Sequence, residues 1–119
     1  MEQEYIKGDI VMYNNRIHTI TDTLGLNKYE LSYIRHPVHQ LELSGVPITP
    51  EILEKNGWKK FKRPYSSDYC YRRKSYPTLN IRSEKEVYFH WGDHDESITT
   101  IHQLQHLLFG LGLNSEMEV

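Results

Sequence analysis

The residues with the clearest chemical potential lie in one basic stretch, WKKFKRPYSSDYCYRRKSY, which spans residues 58–76. It contains seven of the fourteen Lys and Arg residues of the chain and only one acidic residue, Asp68. Six aromatic residues are interleaved with these cations: Trp58, Phe61, Tyr65, Tyr69, Tyr71 and Tyr76. Because cations neutralise phosphates and flat rings stack on bases, this composition suits a single-stranded nucleic acid.

The candidate binding residues of the basic stretch are Lys59, Lys60, Lys62, Arg63, Tyr65, Arg72 and Lys74. Two other interpretations remain open. A protein partner fits equally well, because Tyr and Arg are enriched at protein interfaces. An ordinary amphipathic hairpin would instead pack its rings inward and keep its cations in water. Strand alternation would then bury Tyr69 and Tyr71 and leave only Arg72 and Lys74 for binding.

The histidines raise a metal-binding alternative. His102 and His106 are four residues apart on a predicted helix, so they project from the same side and could reach one ion. His90 and His94, with neighbouring aspartates, precede that helix. No HExxH motif is present, because residue 103 is Gln. We therefore expect no metal or other cofactor, and we keep a metal-binding protein that uses these four histidines as the alternative function.

The sequence offers little for catalysis. Cys70 is the only cysteine, and it lies between two tyrosines in a predicted strand, a position more typical of a packing residue than of a nucleophile. The chain has no G-x-S-x-G elbow, phosphate-binding loop or G-x-G-x-x-G fingerprint. We therefore predict a protein that is not an enzyme. The lone thiol, the absence of a signal-peptide pattern and the absence of a long apolar run favour a cytoplasmic protein without a membrane partner.

The elements that position these residues indicate a single α+β domain over residues 1–119. Residues 5–13 alternate as a strand, Asn14-Asn15 is a tight-turn dipeptide, and residues 16–23 return as the hairpin partner. A turn near Gly25 leads to a third strand. The G-D-I-V start at Gly8 is similar to the first strand of SH3-like modules, including the KOW type of RNA-associated proteins. We therefore expect an antiparallel, SH3-like meander at the N-terminus.

The C-terminal half carries two predicted helices around further strands. Thr49 caps a short central helix, Pro50 suits its first position, and Gly57 ends it. Strands are predicted at 58–61, 69–73, 79–82 and 86–91, with an acidic loop at 92–97. A longer helix follows at 98–111. Its predicted core side is Ile101, Leu104, Leu107, Leu108 and Leu111, and its predicted outer side is His102, Gln105, His106 and Phe109.

This half resembles a family of small proteins encoded by gut bacteria and their phages. The family pattern is a P-I/L-T-x-E-x-L helix, then a glycine and an aromatic, and finally a helix reading V/I-H-x-L-Q-N-L-x-F. Here it falls on Pro47-Ile48-Thr49, Glu51, Leu53, Gly57-Trp58, Ile101-His102, Leu104-Gln105, Leu107, Phe109 and the tail 116–119. His106 replaces the usual Asn, and Gly110-Leu111-Gly112 departs from Ala-Leu-Thr-Gly, which implies an earlier helix end.

The resemblance implies an origin in a phage or mobile element. The family supplies no known activity, substrate or cofactor. Together with the absence of catalytic motifs, it leads to the prediction of a non-enzymatic accessory protein. We expect that protein to act by binding nucleic acid or another protein through the basic stretch.

Overall fold

The computed structural model describes residues 5–62, 69–83 and 86–119. The chain separates into two compact units, Met1–Val46 and Pro47–Val119. In the described residues each unit contains one five-stranded antiparallel sheet, and the second unit adds a short helix and a longer C-terminal helix. This confirms the α+β class. The assignment of residues 1–119 to a single domain stays a prediction.

The first unit is built mainly from neighbouring antiparallel strands in the order β4-β3-β2-β1-β5. A single 3-10 turn, Gln40–Glu42, lies between its last two described strands. The strands are β1 (Ile10–Tyr13), β2 (Arg16–Gly25), β3 (Lys28–Leu31), β4 (Val38–His39) and β5 (Ser44–Gly45). Strands β1 to β4 form the expected meander, and its SH3-like character stays a prediction.

Left-handed turn residues set the pairing of these strands. Asn14 and Asn15 have φ angles of 49° and 61°, which are the values that a two-residue hairpin turn requires. The β1–β2 hairpin is therefore as predicted. The first strand starts later than predicted, at Ile10, because Asp9 closes a tight turn. Its carboxylate accepts a hydrogen bond from the Ile6 amide at 2.9 Å, and its own amide donates to the Ile6 carbonyl at 3.0 Å.

The core of the first unit is an apolar cluster between the strands. A buried polar contact completes it, because the Tyr29 hydroxyl donates a 2.8 Å hydrogen bond to the side-chain carbonyl of Gln40. Satisfying the hydroxyl in this way removes the cost of burying it. The buried members of the cluster are Tyr5, Val11, Ile20, Tyr29, Leu31, Val38 and Leu43.

The second unit is an up-and-down sheet in which each strand pairs with its neighbour in sequence, in the order β10-β9-β8-β7-β6. The strands are β6 (Lys59–Lys62), β7 (Tyr69–Arg72), β8 (Thr78–Ser83), β9 (Glu86–Trp91) and β10 (His94–Ile98). The predicted acidic loop at 92–97 is wrong. Gly92, with a φ of 59°, and Asp93 make the turn, and the following residues pair with β9 as a strand.

The short helix α1 (Pro50–Lys55) has the ends that its sequence predicts. The Thr49 hydroxyl accepts a hydrogen bond from the Ile52 amide at 3.3 Å. At the other end Gly57 has a φ of 93°, and the Trp58 amide donates to the Leu53 carbonyl at 3.0 Å. This bond closes a Schellman-type cap, which a glycine at this position permits without strain.

The second helix, α2 (Ile101–Gly110), is shorter than predicted and turns a different side to the core. Its buried residues are Ile101, His102, Leu104, Gln105 and Leu108, whereas Leu111 is 37% exposed. The core side is therefore rotated by about 80° from the predicted leucine stripe. Placing His102 and Gln105 on the outer side was wrong. Gln105 is covered because the chain returns over it, and its amide donates to the Ser115 carbonyl at 3.1 Å.

The exposed Phe109 lies outside the buried set, as predicted. No helix in the described parts of the chain combines the length and the apolar character needed to cross a membrane.

Candidate functional site

The two faces of the second sheet differ in chemistry. Residues paired across neighbouring strands point to the same face, and successive residues along a strand alternate between faces. One side of the sheet holds most of the buried apolar residues, and we call it the core face: Tyr71, Leu79, Val87, Phe89 and Ile98. By the same pairing Lys60 and Glu96 also lie on this side. The residues between them along the strands must lie on the opposite face.

That opposite face carries cations, rings and a small polar floor. Lys59 pairs with Arg72, and the next row runs from Phe61 through Cys70 and Asn80 to Tyr88. Arg82 follows the last regular β8 pair and lies on the same face, because its guanidinium group contacts the ring of Tyr88. We call the following set the basic-aromatic face: Lys59, Phe61, Arg72, Arg82 and Tyr88, with Cys70 and Asn80 as its floor.

An arginine side chain lies over each of the two rings of the basic-aromatic face. The guanidinium carbon of Arg72 lies 4.4 Å from the Phe61 ring centroid, and that of Arg82 lies 5.6 Å from the Tyr88 centroid. These are cation–π distances. Three strand spacings separate the two rings, which is roughly 14 Å. Phe61 is 43% exposed, so its ring is open to a ligand although Arg72 contacts it.

The floor between the rings is closed by a buried contact. The Cys70 thiol donates a 3.3 Å hydrogen bond to the side-chain oxygen of Asn80, and both residues are buried. A thiol in this position fits the packing role expected from the sequence, since reactive cysteines are partly exposed. The rings and cations that surround this buried contact can offer stacking and charge to a ligand.

Three exposed cations of the basic stretch have no anionic partner among the described residues. Lys59, Arg72 and Lys74 are exposed and form no ion pair or side-chain hydrogen bond with the described residues. Acidic side chains of the same face lie toward its other edge, where Asp95 pairs with His90 across β9 and β10. Among the described residues, positive charge is therefore concentrated beside Phe61.

The structure separates the predicted binding residues. Lys59 and Arg72 come together on the basic-aromatic face, and Lys74 follows β7 in a turn. Lys60 is exposed but lies on the opposite side of β6, across from Tyr71. Lys62 is placed only as the β6 residue that pairs with Tyr69, and Arg63 and Tyr65 lie outside the described residues.

Sequence reasoning missed Phe61, Arg82 and Tyr88 as site residues. Phe61 counted only as one of six rings, and the other two lie outside the basic stretch. The signal that joins them is strand register, because Asn80 pairs with both Cys70 and Tyr88. Alternation sorts the residues of one predicted strand into two sets. Which sets of neighbouring strands share a face follows only from the pairing of residues between the strands.

Three of the four histidines considered as metal ligands have identified contacts in the described part of the chain. The His102 and His106 rings lie edge to face with centroids 5.9 Å apart, and His90 is bonded to Asp95. His94 begins β10, and its side chain lies outside the described part. No group of three or more His, Cys, Asp or Glu side chains that could hold a metal ion occurs among the described residues.

Comparison of the chain with protein-family models, with curated proteins and with solved structures found no match. The functional argument therefore proceeds from the geometry and charge of the basic-aromatic face. Its described residues include two rings with an arginine over each, and a neighbouring lysine.

Proposed function

We propose that this protein binds single-stranded nucleic acid through the basic-aromatic face and acts as a non-enzymatic accessory protein. The observation that carries the proposal is the Arg72 guanidinium 4.4 Å over the exposed ring of Phe61, with Lys59 directly across the strand pair. A ring and a guanidinium plane both stack on bases, and the neighbouring cations neutralise phosphates.

A single strand fits this face better than a duplex. Stacking on protein side chains needs bases that are not already stacked in a helix, and sheets with surface rings recognise such splayed bases. The rings of Phe61 and Tyr88 lie roughly 14 Å apart, at three strand spacings, so separate nucleotides of one extended strand would occupy them.

The proposal extends to the setting of the protein. An origin in a phage or mobile element is supported by the similarity of the closing helix, through Ile101-His102 and Leu104-Gln105, to the family described above. A cytoplasmic location is supported by the single cysteine, Cys70, which is buried and forms no disulfide bond. A protein partner on the same face is the competing interpretation, and the binding experiment distinguishes the two.

The test is fluorescence anisotropy with labelled single-stranded DNA and RNA oligonucleotides at several salt concentrations. Each neutralised phosphate contributes about 0.7 to the log–log salt slope on single strands, so three or four contacts give a slope of roughly −2 to −3. Arg72→Ala should make the slope shallower by about 0.7, because one phosphate contact is lost. The matched control is Lys28→Ala, which removes an exposed cation from β3 in the first unit and should leave the slope unchanged.

Two results would contradict the proposal. If neither oligonucleotide binds at low salt, where electrostatic attraction is strongest, the face does not bind nucleic acid and a protein partner becomes the better use of it. If both variants keep the wild-type slope, nucleic acid binds at another surface.

A further inference from the structure

A cavity of about 530 Å³ lies in the second unit, away from the basic-aromatic face. One wall comes from the end of α1 and the end of β7 and includes Lys55, Gly57 and Arg73. The other wall is the chain after α2, including Glu116 and Glu118. The described lining therefore places positive groups on one side and carboxylates on the other.

Arg73 is the distinctive group of this cavity. Its guanidinium carbon lies 3.8 Å from the Tyr76 ring centroid and 5.2 Å from the Trp58 centroid, so two rings hold it in place. The side chain is half-buried, yet it forms no hydrogen bond or ion pair with the described residues. A guanidinium has five N–H donors and no acceptor, and a planar oxyanion satisfies two of them at once.

The absence of a side chain at Gly57 leaves room for the Arg73 side chain. A Cβ at position 57 would lie 3.3 Å from the Arg73 Nε, which is closer than an ordinary van der Waals contact. The same glycine has a φ of 93°, which other residues rarely adopt. The cap of α1 and the seating of Arg73 therefore depend on one residue.

The acidic wall is held in place by side-chain amides. The Asn56 amide donates to the Glu118 carbonyl at 2.8 Å and accepts from the Glu118 backbone N–H at 2.8 Å. Gln105 holds the same segment at Ser115. Glu116 and Glu118 line the cavity with Arg73, and neither carboxylate forms an ion pair with it among the described contacts. The segment that carries the two glutamates is thus anchored beside the end of α1.

We infer that this cavity binds a small zwitterion that carries both a carboxylate and an ammonium group, of which a free amino acid is the simplest. The ligand carboxylate would meet Arg73, with Lys55 on the same wall, and its ammonium would meet Glu116 and Glu118. A bare anion such as phosphate would be repelled by the two carboxylates, and a bare cation by Arg73 and Lys55. The inference does not depend on nucleic-acid binding.

The experiment is a thermal-shift screen of the purified full chain against the standard amino acids at millimolar concentration, followed by calorimetric titration of the best one. Its N-acetyl derivative lacks the ammonium, its amide lacks the carboxylate, and inorganic phosphate serves as the bare-anion probe. We expect the free amino acid to bind and both blocked forms to bind at least about tenfold more weakly, the loss that an unpaired charged partner produces.

The variants test the two walls separately. Arg73→Ala should weaken binding by about tenfold or more, and Arg73→Lys should restore it only in part, because an ammonium lacks the planar fork. Glu118→Gln should weaken binding of the free amino acid and not that of its N-acetyl form. The matched control is Lys74→Ala, an exposed neighbouring cation that does not line the cavity, and it should bind as the wild type does.

If Arg73→Ala does not fold, Arg73→Lys and Glu118→Gln still decide the question. The inference is overturned if no amino acid binds, if the blocked forms bind as tightly as the free one, or if phosphate binds in an Arg73-dependent manner while the amino acids do not.

Discussion

The two faces of the second sheet are made by the same strands, but the buried apolar side chains are concentrated on the core face. On β7, Tyr71 lies on the core face and is 2% exposed, whereas the next residue, Arg72, is exposed. In the basic stretch, Trp58 and Tyr71 are buried and Phe61 is exposed. The amphipathic-hairpin and binding-surface interpretations of this stretch are therefore compatible. A sequence that mixes aromatic and basic residues indicates a binding surface only for those rings that lie on the exposed face of the sheet.

The largest expected effect comes from the core face. Leu79→Ala and, on α2, Leu104→Ala should each lower the free energy of unfolding by roughly 2–5 kcal/mol, because each deletes a buried side chain and leaves a cavity. Both leucines are fully buried. Urea denaturation followed by circular dichroism measures the loss. The comparison variant Arg72→Ala, on the other face, should change stability by no more than about 0.5 kcal/mol. Equal losses for the three variants would mean that the faces are wrongly assigned.

A smaller effect, on binding rather than folding, is expected from the basic-aromatic face. Phe61→Ala should weaken binding to single-stranded oligonucleotides by about 1–3 kcal/mol at every salt concentration, because a stacking ring is lost while the number of neutralised phosphates stays the same. Anisotropy titrations at two salt concentrations measure both quantities. Phe109→Ala is the matched control, since it removes a 67% exposed phenylalanine from α2 and should leave affinity unchanged. A change of salt slope in Phe61→Ala would argue against stacking.

The smallest expected effect is that of removing metal. The His102 and His106 rings contact each other, His90 contacts Asp95, and no group of three or more possible metal ligands occurs among the described residues. A chelator added to protein purified without a histidine tag should leave the melting temperature unchanged. A large decrease that zinc reverses would support the alternative, a metal-binding protein that uses His90, His94, His102 and His106.

Much of the fold was predictable because its signals are local. The bounds of α1 follow from Thr49, Pro50 and Gly57, and β9 was predicted with its observed bounds of Glu86–Trp91. Less of the candidate site was predictable. Lys59 and Arg72 were identified as candidates, but their pairing across two strands, and the contact between Arg72 and Phe61, depend on register rather than on composition.

The sequence by itself determined the α+β class, the asparagine turn after β1 and both ends of α1, because each depends on the conformational preferences of a few adjacent residues. Only the tertiary structure decided the strand β10, whose acidic residues have low intrinsic strand propensity and gain their conformation from pairing with β9. It also decided which side of α2 is buried, since the returning chain covers Gln105. The basic-aromatic face belongs to this second group, because the contacts that form it join residues from four different strands.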